Sequence, residues 1–138
     1  MIEEFIIYVN KNCYPINSTI NQSIYETNNF LLKQWEITLI EYAVFFGSIQ
    51  IFKYLSQNGA ELTPSLWYYA VHGQNPEIIE YLDQCKFFSS KNDISFGYIF
   101  LESIKCHHID FANYIINNYL EKKIQFSNEA LINYLKYY

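Results

Sequence analysis

The sequence predicts an all-α, helical-repeat solenoid built from helix-turn-helix units. The first observation is an internal echo: Ala43, Ile51, Tyr54 and Leu55 recur as Ala70, Ile78, Tyr81 and Leu82, each 27 positions later (70 − 43). That spacing is about the length of two short helices and a turn. The second is a further step, in which Ala70, Ile78, Tyr81 and Leu82 give way to Ser103, Phe111, Tyr114 and Ile115, 33 positions on (103 − 70). The third is that apolar residues within each copy recur at helical intervals between helix-stopping residues.

The elements follow in chain order. Ile2 to Val9 is almost continuously apolar and reads as a short buried helix, the second helix of an incomplete first repeat or an end cap. Asn10 to Lys33 is richer in Asn, Ser and Thr, and the spacing of Ile16, Ile20 and Ile24 suits one short helix around Ser18 to Glu26. From Thr38, Ile40, Ala43 and Val44 share one helical face, and Gly47 stands where a left-handed C-terminal residue is commonly needed. Ser48 is expected to cap the partner helix, in which Ile51, Phe52 and Leu55 face inward, with Gly59 at its end.

The second copy opens at Ser65 and carries Leu66, Trp67, Ala70 and Val71. Its second helix begins Asn75-Pro76-Glu77. Asn satisfies free amides as N-cap, Pro presets φ at the first helical position, and Glu meets the positive end of the helix dipole. A polar insertion, Lys86 to Asp93, accounts for the longer second interval. The third copy runs from Tyr98 to Asn118, and Ala130 returns the small residue 27 positions after Ser103, followed by Leu131, Tyr134 and Leu135. The chain is therefore read as one domain, 1–138: a cap or degenerate repeat over 1–37, repeats over 38–64, 65–97 and 98–124, and a terminal helix over 125–138. Small residues at Ala43 and Ala70 let adjacent units approach closely.

With 138 residues, 51% hydrophobic and 17% charged, the chain can bury a core without metals or disulfides. The aromatic share of 20% falls mostly at helical spacing and is assigned mainly to that core. A net charge of −5 with no Lys/Arg cluster argues against a nucleic-acid partner. Cys13, Cys85 and Cys106 are odd in number and far apart, which fits reduced thiols in the cytoplasm or nucleus. No apolar stretch approaches the ~20 residues of a membrane span, and the acidic start Glu3-Glu4 is unlike a secretory signal.

Chemistry-bearing clusters are sparse. Cys106, His107 and His108, with Cys85 and His72, lack a recognisable zinc-ligand spacing, and His108 reads instead as lying near a helix N-terminus where a glycine is missing. Nothing in the sequence supplies a base, an orienting carboxylate and an oxyanion hole around a nucleophile. No enzyme activity, metal or cofactor is expected.

The segment from Thr38-Leu39-Ile40-Glu41-Tyr42-Ala43 through Gly47 to Gly59-Ala60-Glu61 resembles the ankyrin repeat pattern T-P-L-H-x-A-x-x-x-G, then [IV]-V-x-L-L-x-x-G-A-D. Leu39 replaces Pro and Glu41 replaces His, and in the second copy Gln74 and Lys86 stand where the glycines belong. Ser65-Leu66-Trp67-Tyr68-Tyr69-Ala70, Asn75-Pro76-Glu77-Ile78-Ile79 and Cys106-His107-His108-Ile109-Asp110 look like a divergent ankyrin-type family of single-celled eukaryotes that has no assigned activity. The resemblance implies a curved solenoid that binds another protein through its concave face, with short or absent β-hairpin fingers. It places Phe45 and Phe46, and in later copies His72 and Lys105, on that face, and Gln34 and Trp35 on the edge before the first helix. Phe45 and Phe46 have a second reading, in which both turn inward to cover neighbouring copies. A structural spacer or autoinhibitory segment with no separate ligand is the alternative to a binding module.

Overall fold

A computed structural model of the chain describes residues 1–85 and 95–120. The inserted loop, the end of the third copy and the terminal helix read over 125–138 lie outside the described residues. The chain separates into two compact units, Met1–Ser89 and Ser90–Tyr138. Among the described residues the structure is mostly helical, with eight α-helices and one two-stranded ladder.

The first unit contains α1 (Ile2–Lys11), β1 (Thr19–Ile20), α2 (Asn29–Leu32), β2 (Ile37–Thr38), α3 (Leu39–Phe45), α4 (Ile49–Gln57), α5 (Leu66–Gly73) and α6 (Pro76–Gln84). The first of each helix pair packs on the first of the next, α3 against α5, and the second on the second, α4 against α6, with α1 beside α4. Phe52, Leu55, Leu66, Trp67, Val71, Ile78 and Leu82 are buried.

Local chemistry sets the boundaries. Thr38 closes a capping box: its Oγ1 accepts from the Glu41 amide at 3.3 Å while the Glu41 carboxylate accepts from the Thr38 amide at 2.8 Å. Glu41 also reaches forward, its Oε1 accepting from Ser65 Oγ at 3.1 Å. The carboxylate that replaces the pattern's histidine thus ties one helix start to the next. Asn75 accepts from the amides of Glu77 and Ile78 at 3.0 and 3.3 Å, with Pro76 at the first helical position. Its Nδ2 also donates to the Gly47 carbonyl at 3.0 Å, so one side chain caps a helix and joins two turns. Ser48 stands at the N-cap of α4 but makes no side-chain capping bond there.

The turn inside each pair uses a left-handed residue, at Gly47 (φ +64), Gln74 (φ +48) and His107 (φ +59). These are spaced 27 and 33 apart, as the sequence echo requires. Only the first is glycine, so the other two hold a side chain in a backbone region that costs L-residues energy. Gly73 has a different reason to be glycine: a Cβ built there would lie 1.9 Å from the Val44 carbonyl oxygen and 2.9 Å from the Gly47 amide nitrogen. The ends of α3 and α5 meet backbone to backbone.

The region around Ser18 to Glu26 does not form the expected helix. Thr19 and Ile20 instead pair antiparallel with Thr38 and Ile37. Asn17 holds the segment down, its Oδ1 accepting from the Glu61 amide at 2.8 Å. Ile24 and Tyr25 are exposed, so the evenly spaced isoleucines share no buried face. The β1–β2 connection is no tight hairpin; it carries α2, whose Leu31 is buried.

In the second unit α7 (Phe96–Lys105) and α8 (Ile109–Ile115) pack together, and a π-helical turn, Ile116–Leu120, follows against both. Ser103 takes the small position and is fully buried, its hydroxyl satisfied by donating to the Phe100 carbonyl at 2.6 Å. Phe96 stacks on Tyr119 with centroids 4.1 Å apart.

Candidate functional site

The residues placed by sequence on one binding face have different surroundings. At the ends of α3 and α5, Phe45 is buried and its ring stacks with that of His72, centroids 4.9 Å apart. Over both lies Phe30 of α2, 4.4 Å from the His72 ring, 6.0 Å from Phe45 and 5.2 Å edge-on to Tyr69. Asn28 aims α2 there, capping it by accepting from the amides of Phe30 and Leu31 at 2.9 and 3.2 Å. The chain's own insertion therefore covers Phe45 and His72. Burial, followed by the nearby Glu41 carboxylate and Tyr42, pushes the Tyr69 phenol well above its ordinary range.

Phe46 goes the other way and is 66% exposed. A helix turns 100° per residue, so neighbours on α3 cannot share one environment. Phe46 forms the rim of an open apolar cleft of about 340 Å³, walled by Met1 and Phe5 of α1, Ile20 of β1, and Tyr42 and Ala43 of α3. The Phe46 ring packs on Tyr42, centroids 6.2 Å apart, and edge-on to Phe45 at 5.0 Å.

Trp35 is 97% exposed in the connection before β2, while Gln34 turns back to donate from Nε2 to the Phe30 carbonyl at 3.4 Å. Lys105, in the second unit, pairs with Glu102 at 3.3 Å and lies 6.0 Å from the centre of the Tyr98 ring. Gln34, Phe45 and His72 thus gather around Phe30, and Phe46 opens into the cleft. His107 occupies the left-handed turn and His108 the N-cap of α8. Burial raises the Cys85 thiol above its usual range; burial and the Glu102 carboxylate raise that of Cys106, against the lowering effect of Lys105. Neither favours thiolate at neutral pH.

Sequence reasoning missed Phe30, whose one local signal was an Asn cap before an apolar pair. It also missed the cleft walls Met1, Phe5 and Ile20, which come from separate segments with no common period. Among the described residues, no helix is long and apolar enough to cross a membrane. No protein-family model, curated protein or solved structure matches the chain.

Proposed function

We propose that the chain is an ankyrin-like helical-repeat solenoid that works without catalysis, as a protein-interaction module of the cell interior. The observation that carries this reading is Phe46, an aromatic ring left exposed at the mouth of an apolar cleft while its neighbour Phe45 enters the core. Exposed aromatics beside a concave apolar surface are the side chains that anchor partners, because one ring removes much area from water at little entropic cost. Trp35 adds a second such ring. The left-handed turns at repeat spacing and the first-on-first, second-on-second packing support the repeat architecture.

A structural reading has an observation of its own. Phe30 covers Phe45 and His72, so part of the face assigned to recognition is filled by the chain itself. The two readings separate in one experiment. Wild type and a Trp35→Ala/Phe46→Ala variant of matching circular dichroism are used to capture proteins from source-cell lysate, and any captured protein is purified and titrated calorimetrically. A partner whose affinity falls at least tenfold with the variant supports the module. Equal retention by both proteins refutes the role of Phe46 and Trp35, and capture by neither favours the structural reading.

A further inference from the structure

A shift of 27 positions carries Leu39, Tyr42, Ala43 and Phe46 of α3 onto Leu66, Tyr69, Ala70 and Gly73 of α5. On α5 this face is closed by α3. Leu66, Tyr69 and Ala70 are buried, and Gly73 lies close enough for an added Cβ to meet the Val44 carbonyl oxygen. On α3 the same four positions line the open cleft, and among the described residues no helix covers them. The opposite wall is α1, which ends as a second helix of a pair ends. Asn12 Nδ2 donates to the Tyr8 carbonyl at 2.7 Å and left-handed Cys13 follows, just as Asn58 Nδ2 donates to the Tyr54 carbonyl at 2.7 Å before left-handed Gly59. The cleft thus has the two neighbours that a first helix has: a second helix beside it and the stacking face of the next first helix behind it.

We propose that this cleft receives residues 125–138 of a second copy of the chain. That segment lies outside the described residues, and its sequence carries the first-helix pattern, with Ala130 at the small position and Leu131 at the position of Val44, the residue whose backbone covers α5. Fourteen residues of helix span about 21 Å, ample for a cleft walled by the two-turn α3. A first-helix segment meets the need for a narrow apolar element that tolerates close backbone approach at Ala43. Because cleft and segment are different surfaces, the contact is heterologous and joins copies head to tail, as a ring or an open chain. The inference rests on the repeat register proposed above and is independent of any outside partner.

The test uses the full chain. Sedimentation velocity over a concentration series is run on wild type, on Phe46→Glu, which breaks the cleft, and on Leu131→Glu, which breaks the segment. Wild type should self-associate, and each variant should do so at least about tenfold more weakly, because a carboxylate opposes burial in an apolar contact. An equimolar mixture of the two variants should form a dimer and nothing larger, since one intact cleft then meets one intact segment. Wild type that stays monomeric, a variant that associates like wild type, or a mixture that stays monomeric overturns the proposal. Should Leu131→Glu fail to fold, a synthetic peptide of residues 125–138 must dissociate the wild-type assembly in its place, and failure to do so overturns it equally. Loss of lysate capture with retained self-association would separate failure of the binding-module reading from failure of this one.

Discussion

Replacing Gly73 with alanine sets helix propensity against packing, and the two make opposite predictions. Alanine in place of glycine favours a helix by up to about 1 kcal/mol. Gly73 is the last helical residue of α5, yet its added Cβ would sit 1.9 Å from the Val44 carbonyl oxygen, where real contacts stay above 3.0 Å. Relief requires α3 and α5 to part by about 1 Å, a gap that forfeits a quarter to a half of each dispersion contact across it. Overpacking of this kind costs about 1–3 kcal/mol. Moving Gly47 also strains the 3.0 Å bond from Asn75, adding about 1 kcal/mol. The net expectation is a loss of about 2–3 kcal/mol and a melting midpoint lower by roughly 10 °C. Urea titration and thermal melts followed by circular dichroism measure both. Gly97→Ala is the control, because in α7 its Cβ would meet only Ser95 Oγ at 3.7 Å, so propensity alone acts and stability holds or rises. A Gly73→Ala protein as stable as wild type would refute the close approach of α3 and α5.

Other perturbations follow from the same contacts. Asn75→Ala removes the α6 cap and the bond to Gly47 together and should lower the unfolding free energy by about 1.5–3 kcal/mol in urea titration. Gln74→Gly relieves a left-handed side-chain residue and should raise the melting midpoint, the gain being up to about 1 kcal/mol. Tyr69 holds its proton more tightly folded than unfolded, so its contribution is intact below pH 10, the unfolded value, and is lost as pH rises above it. The unfolding free energy should then fall by up to about 1.4 kcal/mol per pH unit, and Tyr69→Phe should flatten that slope. Under native conditions at pH 7.5, mass spectrometry after brief iodoacetamide treatment should find exposed Cys13 labelled first, with Cys85 and Cys106 slower because burial holds their thiols protonated.

The sequence by itself determined what is encoded within a few residues of chain. The Thr38 cap, the left-handed Gly47, the Asn75-Pro76 helix start and the small residues Ala43 and Ala70 each stand where the local pattern puts them. Such features rest on bonds between residues two to four apart, and their periodicity survives divergence. The replacements at Glu41, Gln74 and His107 were legible as departures, but what they do was not. Glu41 becomes a bridge only because Ser65 lies 3.1 Å away, and Gln74 and His107 keep the turn without glycine.

Only the tertiary structure decided where the aromatic rings go. Phe45 and Phe46 are adjacent and chemically identical, and they part because Phe30, Tyr69 and His72 arrive on one side of α3 while α1 and β1 leave a cleft on the other. The segment around Ser18 to Glu26 has helical isoleucine spacing but becomes strand and turn, since its partners, Ile37, Thr38 and Glu61, are distant in sequence. Gly73 carries no local signal at all, for its requirement comes from the Val44 carbonyl of another helix. Helix starts and stops are local free-energy differences, whereas the burial of a given face depends on which remote segment covers it.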